Sequence, residues 1–184
     1  MDGKNSLREG KILFASGQPE QSIPYFTAVL EQGIDPVLIG LCRGTANMAL
    51  GRYLDAKEDF TLVLNNDPKN ERGYFFRGIA RFALGEYEPA IEDLTRSLTK
   101  NHNRGIAYLV RGLAYAELGE EKDAALDFNS AAAFSSAEVD SFLKLFKNHN
   151  SQLNKTIAML KKHSAPWKAL LTREDADKIR NWPG

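Results

Sequence analysis

Residues 43–60 read RGTANMALGRYLDAKEDF and residues 77–94 read RGIARFALGEYEPAIEDL; superposed, they share Arg-Gly, a small residue, Leu-Gly, Tyr and Ala at the same places. The step between them is 34 residues and continues in both directions. Gly17, Gly51, Gly85 and Gly119 form one ladder and Gly10, Gly44, Gly78 and Gly112 another, with Ile12, Ala46, Ala80 and Ala114 between them. Twelve residues beyond the second ladder stand Ser22, Ala56, Ala90 and Ala124, each followed four later by Phe26, Phe60, Leu94 or Phe128. Leu30, Leu64, Leu98 and Ala132 complete the set. A period of this length marks stacked units that cannot bury an apolar face alone.

Each unit reads as two amphipathic helices, because apolar positions recur at three- and four-residue steps on either side of a glycine-centred break. The break has a mechanism: glycine in the left-handed conformation closes the first helix, and Pro19 after Gly17 suits the first turn of the next. The other glycine ladder and the Ser/Ala series let two backbones approach, with Phe26, Phe60, Leu94 and Phe128 filling the space beside the crossing. Asp35-Pro36 and Asp67-Pro68 stand between units, where a proline opens a helix and the residue before it resists helical geometry.

On these residues the chain resembles the tetratricopeptide repeat family, whose 34-residue pattern places Gly, Gly, Ala, an aromatic and Pro at these offsets. Residues 1–136 then hold four tandem units, about 3–36, 37–70, 71–104 and 105–138. The first departs most, with Ser22 for the small Ala and Pro19 where later units carry Tyr53 and Tyr87. The resemblance implies an all-α, right-handed α-solenoid whose first helices line a concave face.

Residues 137–184 are expected to form C-terminal capping helices and a basic tail. Ser135-Ser136-Ala137-Glu138 reads as a capping box opening a helix to about His149, and a second helix, about residues 152–163, places Leu153, Ile157 and Leu160 on one stripe. A terminal element with a polar outer surface is what the end of a stack needs. Residues 165–171, Ala-Pro-Trp-Lys-Ala-Leu-Leu, form a last apolar stretch.

At 184 residues the chain can bury a core without staples. Its single cysteine, Cys42, makes no intramolecular disulfide, and the first ten residues lack the apolar run of a secretory signal, so a reducing, cytoplasmic compartment is expected. No stretch approaches the ~20 consecutive apolar residues of a membrane span. The 24 basic and 24 acidic residues are unevenly placed: from Ser141 onward nine Lys or Arg face three acids, net +6, leaving −6 on residues 1–140.

No catalytic constellation, metal set or cofactor motif is legible. His102, His149 and His163 have no Cys or carboxylate at ligand spacing and read as surface residues. Cys42 reads as a structural thiol, and the glycines lack the Lys-Ser/Thr or Gly-x-Gly-x-x-Gly context of a phosphate loop. Asn154-Lys155-Thr156 matches a glycosylation acceptor but falls in a predicted helix of a chain without an export signal. Arg43, Arg77 and Arg111, each followed sixteen residues later by Asp59, Asp93 or Asp127, read as structural ion pairs. Lysines 155, 161, 162 and 168 read as a solvated face rather than a nucleic-acid or lipid contact.

What the resemblance implies about binding falls on first-helix positions, carried over by offset: Leu38, Leu41, Thr45 and Met48; Arg72, Phe75, Ile79 and Phe82; Ile106, Leu109 and Leu113; and, in unit one, Lys4, Leu7, Lys11 and Phe14. Family members that hold acidic chaperone tails use a Lys/Asn clamp, whose places here read Leu7, Lys11, Cys42, Arg72 and Phe76; with two basic residues and no Asn, that role is not expected. The apolar groove suggests an adaptor or chaperone-like scaffold whose partner presents a hydrophobic helical or extended segment. Two alternatives stand beside it. The groove is covered by neighbouring helices or by self-docking of residues 165–171, or the chain is an assembly subunit forming a homo-oligomer or larger complex through outer or terminal helices.

Overall fold

The structure, a computed structural model, describes residues 3–134. Among these residues there are eight α-helices and no strand, α1 (Gly3–Ala15), α2 (Pro19–Glu31), α3 (Pro36–Ala49), α4 (Tyr53–Asn66), α5 (Glu71–Ala83), α6 (Tyr87–Leu98), α7 (Gly105–Glu117) and α8 (Glu121–Phe134). Four helix pairs thus follow the 34-residue period. The helices expected beyond residue 134, and the 165–171 segment, lie outside the described residues.

The breaks follow from backbone chemistry. α3 ends at Leu50, and Gly51 then takes φ 73°, a left-handed conformation that costs a side-chain-bearing residue more than glycine. The Gly51 N–H donates to the Met48 carbonyl at 3.0 Å and the Arg52 N–H to Asn47 at 2.9 Å, which satisfies two carbonyls at the helix end. Gly119 closes α7 the same way, its N–H donating to Ala116 and that of Glu120 to Tyr115. Pro19 and Pro36 occupy the first turns of α2 and α3, and the Asp35 side chain accepts from the Leu38 N–H at 3.0 Å. Pro68 behaves differently from the expectation that it opens a helix. It sits in the turn, and Asn70 caps α5 by accepting from the Gly73 N–H at 2.9 Å, because Asp67 folds the turn by accepting from the Lys69 N–H and Asn70 Nδ2.

The described residues divide between Gly85 and Glu86 into two compact units. In the first, α1 packs on α2, α2 on α3, α3 on α4 and α4 on α5. Its core includes Phe26, Val29 and Ile39, fully buried, with Leu7, Phe14, Leu30 and Cys42 partly buried against them. Gly44 allows the α3–α4 crossing: a Cβ there would stand 2.6 Å from Phe60 Cε1. Phe60 in turn stacks on Phe76 of α5, ring centroids 5.3 Å apart. In the second unit α7 packs on both α6 and α8, burying Leu94, Ala107, Val110, Ala114 and Phe128.

On α5 the face that meets α4 is Gly73, Phe76, Arg77 and Ala80, as the Gly73–Leu64 approach, the Phe60–Phe76 stack and the Arg77–Thr61 hydrogen bond establish. Two periods back, the same face of α1 is Asn5, Arg8, Glu9 and Ile12, all exposed. Ile12 is 46% exposed where Ala46, Ala80 and Ala114 are fully buried. Three of these four exposed side chains are polar, so the face is solvated here.

Candidate functional site

Of the first-helix residues named from the sequence, α3 presents Leu38, Leu41 and Thr45 half-buried and Met48 buried. α5 presents Arg72 exposed and Phe75, Ile79 and Phe82 buried; on α7, in the second unit, Ile106, Leu109 and Leu113 are buried. Surface open to a ligand is therefore concentrated in the first unit. There Leu7 and Phe14 are half-buried, and three cations of the first helices, Lys4, Lys11 and Arg72, are exposed. Thr45 is turned to its own helix, its hydroxyl donating to the Leu41 carbonyl at 2.8 Å.

Cys42 belongs to the first unit's core and is half-buried. Burial pushes its thiol pKa up, only partly offset by Lys11, so a thiolate is disfavoured there. His102 is exposed in the turn between α6 and α7. Among the described residues no group of three or more His, Cys, Asp or Glu is placed to hold a metal ion.

Two members of the Arg/Asp series, Arg43–Asp59 and Arg111–Asp127, are brought together as ion pairs. Arg43 donates to Asp59 Oδ1 through Nε at 2.9 Å and Nη2 at 2.6 Å, while Asn47 Nδ2 donates to Oδ2 at 3.0 Å. Arg111 engages both Asp127 oxygens, at 2.7 and 2.8 Å. The difference has a local cause. Tyr115 stands where Asn47 would recur, so the second oxygen of Asp127 is left for the guanidinium. Burial raises the pKa of Asp59 and of Asp127 in spite of the arginines.

A third member of this series went unread in the sequence. Arg43 Nη1 donates to Thr27 Oγ1 at 3.0 Å, Arg77 Nη1 to Thr61 at 3.4 Å and Arg111 Nη1 to Thr95 at 2.9 Å. Thr27, Thr61 and Thr95 also step by 34, a signal visible once polar residues are compared at the repeat period. Each arginine thus ties its own helix to the second helix of the preceding pair. Arg77 and Arg111 also lie over Tyr74 and Tyr108, 5.9 and 5.6 Å from the ring centroids.

Beside the Arg43 set, α2, α3 and α4 enclose a cleft of about 330 Å³ whose walls include Ile23, Leu62, Arg43, Asp55, Glu58 and Asp59. Arg52, also at the cleft, pairs with Glu20 across the α2–α4 gap.

These helices and surfaces define an all-α helical-repeat protein, a class in which stacked pairs offer extended surfaces for binding other chains. Residues 41–104 match the sequence profile of the tetratricopeptide repeat family. The chain's fold is that of solved MamA structures. A crystal structure of MamA is 21% identical over 93% of this chain and 94% of that one, TM-score 0.66. MamA 41-end from Desulfovibrio magneticus RS-1 is 18% identical over 72% of this chain and 75% of that one, TM-score 0.67, and MamA of MSR-1 19% identical over 73% and 77%, TM-score 0.66. No curated protein matches the sequence. No described helix is long and apolar enough to cross a membrane.

Proposed function

We propose that this protein is an interaction scaffold, an adaptor or chaperone-like module, that holds a hydrophobic helical or extended segment of a partner polypeptide along its first-helix surface. One observation carries the reading: Leu38 and Leu41, three residues apart on one helix face, stay half-buried rather than closing into the core. Apolar side chains left at this spacing suit the alternate anchors of an amphipathic or extended ligand. Met48, Phe75, Ile79 and Phe82 lie deeper and support the surface, reaching a ligand only through side-chain rearrangement. The engagement of buried Asp59 and Asp127 in ties to Arg43 and Arg111 supports a binding rather than a catalytic reading.

The test is affinity capture with the full chain, followed by measured binding of the captured partner. Leu38→Glu with Leu41→Glu is expected to abolish binding while leaving the helical circular dichroism intact, and Phe75→Ala with Phe82→Ala to weaken it. Unchanged affinity in the glutamate pair would overturn the assignment of this surface.

A further inference from the structure

Charge is sorted by helix. α2, α4, α6 and α8 carry eleven acidic residues against three basic ones, whereas α1, α3, α5 and α7 carry eight basic against three acidic. The second helices are therefore strongly acidic and the first helices basic, with Lys4, Lys11 and Arg72 exposed on the latter. A basic segment is repelled by the latter and drawn to the former.

In the first unit this sorting coincides with the 330 Å³ cleft between α2, α3 and α4. Both of its cations are engaged, Arg43 by Asp59 and Thr27 and Arg52 by Glu20. Asp55 and Glu58 are exposed and make no hydrogen bond or ion pair among the described residues. Ile23 and Leu62, half-buried in the cleft wall, add apolar surface. An apolar wall with two unpaired carboxylates suits a side chain with a methylene stem and a cationic head.

We propose that this cleft docks a lysine-bearing segment from residues 141–184 of a second copy. Charge complementarity selects the occupant: those residues carry nine Lys or Arg against three acids. Each copy brings one cleft and one basic segment, so a reciprocal exchange closes a symmetric pair. Stacking through the α1 end is not the route, since Asn5, Arg8 and Glu9 make that face polar. The inference uses none of Leu7, Phe14, Leu38 or Leu41 and stands apart from the function proposed above.

The experiment uses the full chain, light and heavy nitrogen-labelled copies mixed in equal parts at low salt and joined by a zero-length carbodiimide cross-linker. The expected result is mixed-label peptides joining Asp55 or Glu58 to lysines 144, 147, 155, 161, 162 or 168. Sedimentation is expected to show a dimer that Asp55→Lys with Glu58→Lys weakens by about tenfold. High salt is expected to disperse it, and the doubly reversed copy to regain association with a Lys161→Glu, Lys162→Glu copy. Both reversed carboxylates are exposed, and an unchanged thermal transition verifies that the variant is folded. Cross-links confined to one label place a copy's own segment in the cleft and overturn the proposal. A monomer at every salt concentration overturns it too, as does a dimer that the double reversal leaves intact.

Discussion

Arg111 is fixed from two directions, by both oxygens of Asp127 and by the Thr95 hydroxyl, with Tyr108 beneath its guanidinium. Arg111→Met leaves a buried carboxylate without its cation and is expected to cost about 3–5 kcal/mol in denaturant unfolding. The pH dependence of this pair has a definite sign. Burial holds the Asp127 pKa above its ordinary 3.8, so the folded chain keeps a proton that the unfolded chain has released. The stabilising contribution is full below 3.8 and is lost as pH rises through the raised value. Asp127→Asn removes it, so the stability gap between wild type and variant is expected to widen as pH falls from 7 toward 4; a gap that narrows would refute the assignment. Ser6 offers a simpler case. Its hydroxyl is 1% exposed and finds no hydrogen-bond partner among the described residues. Ser6→Ala is expected to raise stability by about 1 kcal/mol, read as an increase in melting temperature. The Arg43–Asp59 and Arg111–Asp127 pairs were legible in the sequence because both partners recur at one offset. The Ser6 orphan was not, since whether a hydroxyl is satisfied depends on neighbours from another part of the chain.

Among the helices, α2 carries Pro24 in its interior. A proline there removes one backbone N–H from the ladder and crowds the carbonyl four residues earlier. Pro24 is exposed, so nothing in the packing requires the ring, and Pro24→Ala is expected to stabilise the chain by about 1–3 kcal/mol. The α3–α4 pair gives the opposite expectation. A methyl at Gly44 would meet Phe60 Cε1 at 2.6 Å and Cζ at 2.8 Å, and the ring cannot swing away freely because Phe76 is stacked on it. Gly44→Ala is expected to cost about 1–3 kcal/mol in thermal or chemical unfolding. Helix number, order and breaks were readable from the two glycine ladders, which report directly on left-handed caps and close crossings. The start of α5 was not, because Asp67 and Asn70 build its turn from side-chain hydrogen bonds that Pro68 conceals.

At the scale of the molecule, packing within each compact unit joins chiefly helices that are consecutive in the chain, with a smaller α3–α5 contact, and the Arg–Thr and Arg–Asp ties each span sixteen residues. Such local topology closes short loops. Stopped-flow refolding is expected to show a main phase within about milliseconds, as for helical proteins of low contact order. Net charge, which the sequence shows as a contrast between residues 1–140 and 141–184, becomes in three dimensions a contrast between first and second helices.

The sequence by itself determined the repeat, its period and the helix pairing, because each rests on local geometry: glycine at left-handed caps, small residues at crossings, apolar residues at three- and four-residue steps. Only the tertiary structure decided which of the first-helix side chains remain open. Leu38 and Leu41 are half-buried while Phe75, Ile79, Phe82, Ile106, Leu109 and Leu113 are buried, although all were read from the same offsets. Burial is a sum over neighbours brought in from other helices, and equal places in a repeat do not have equal neighbours. The threonine ties and the acidic cleft were decided there for the same reason, since each is assembled from residues on helices that meet only in the folded chain.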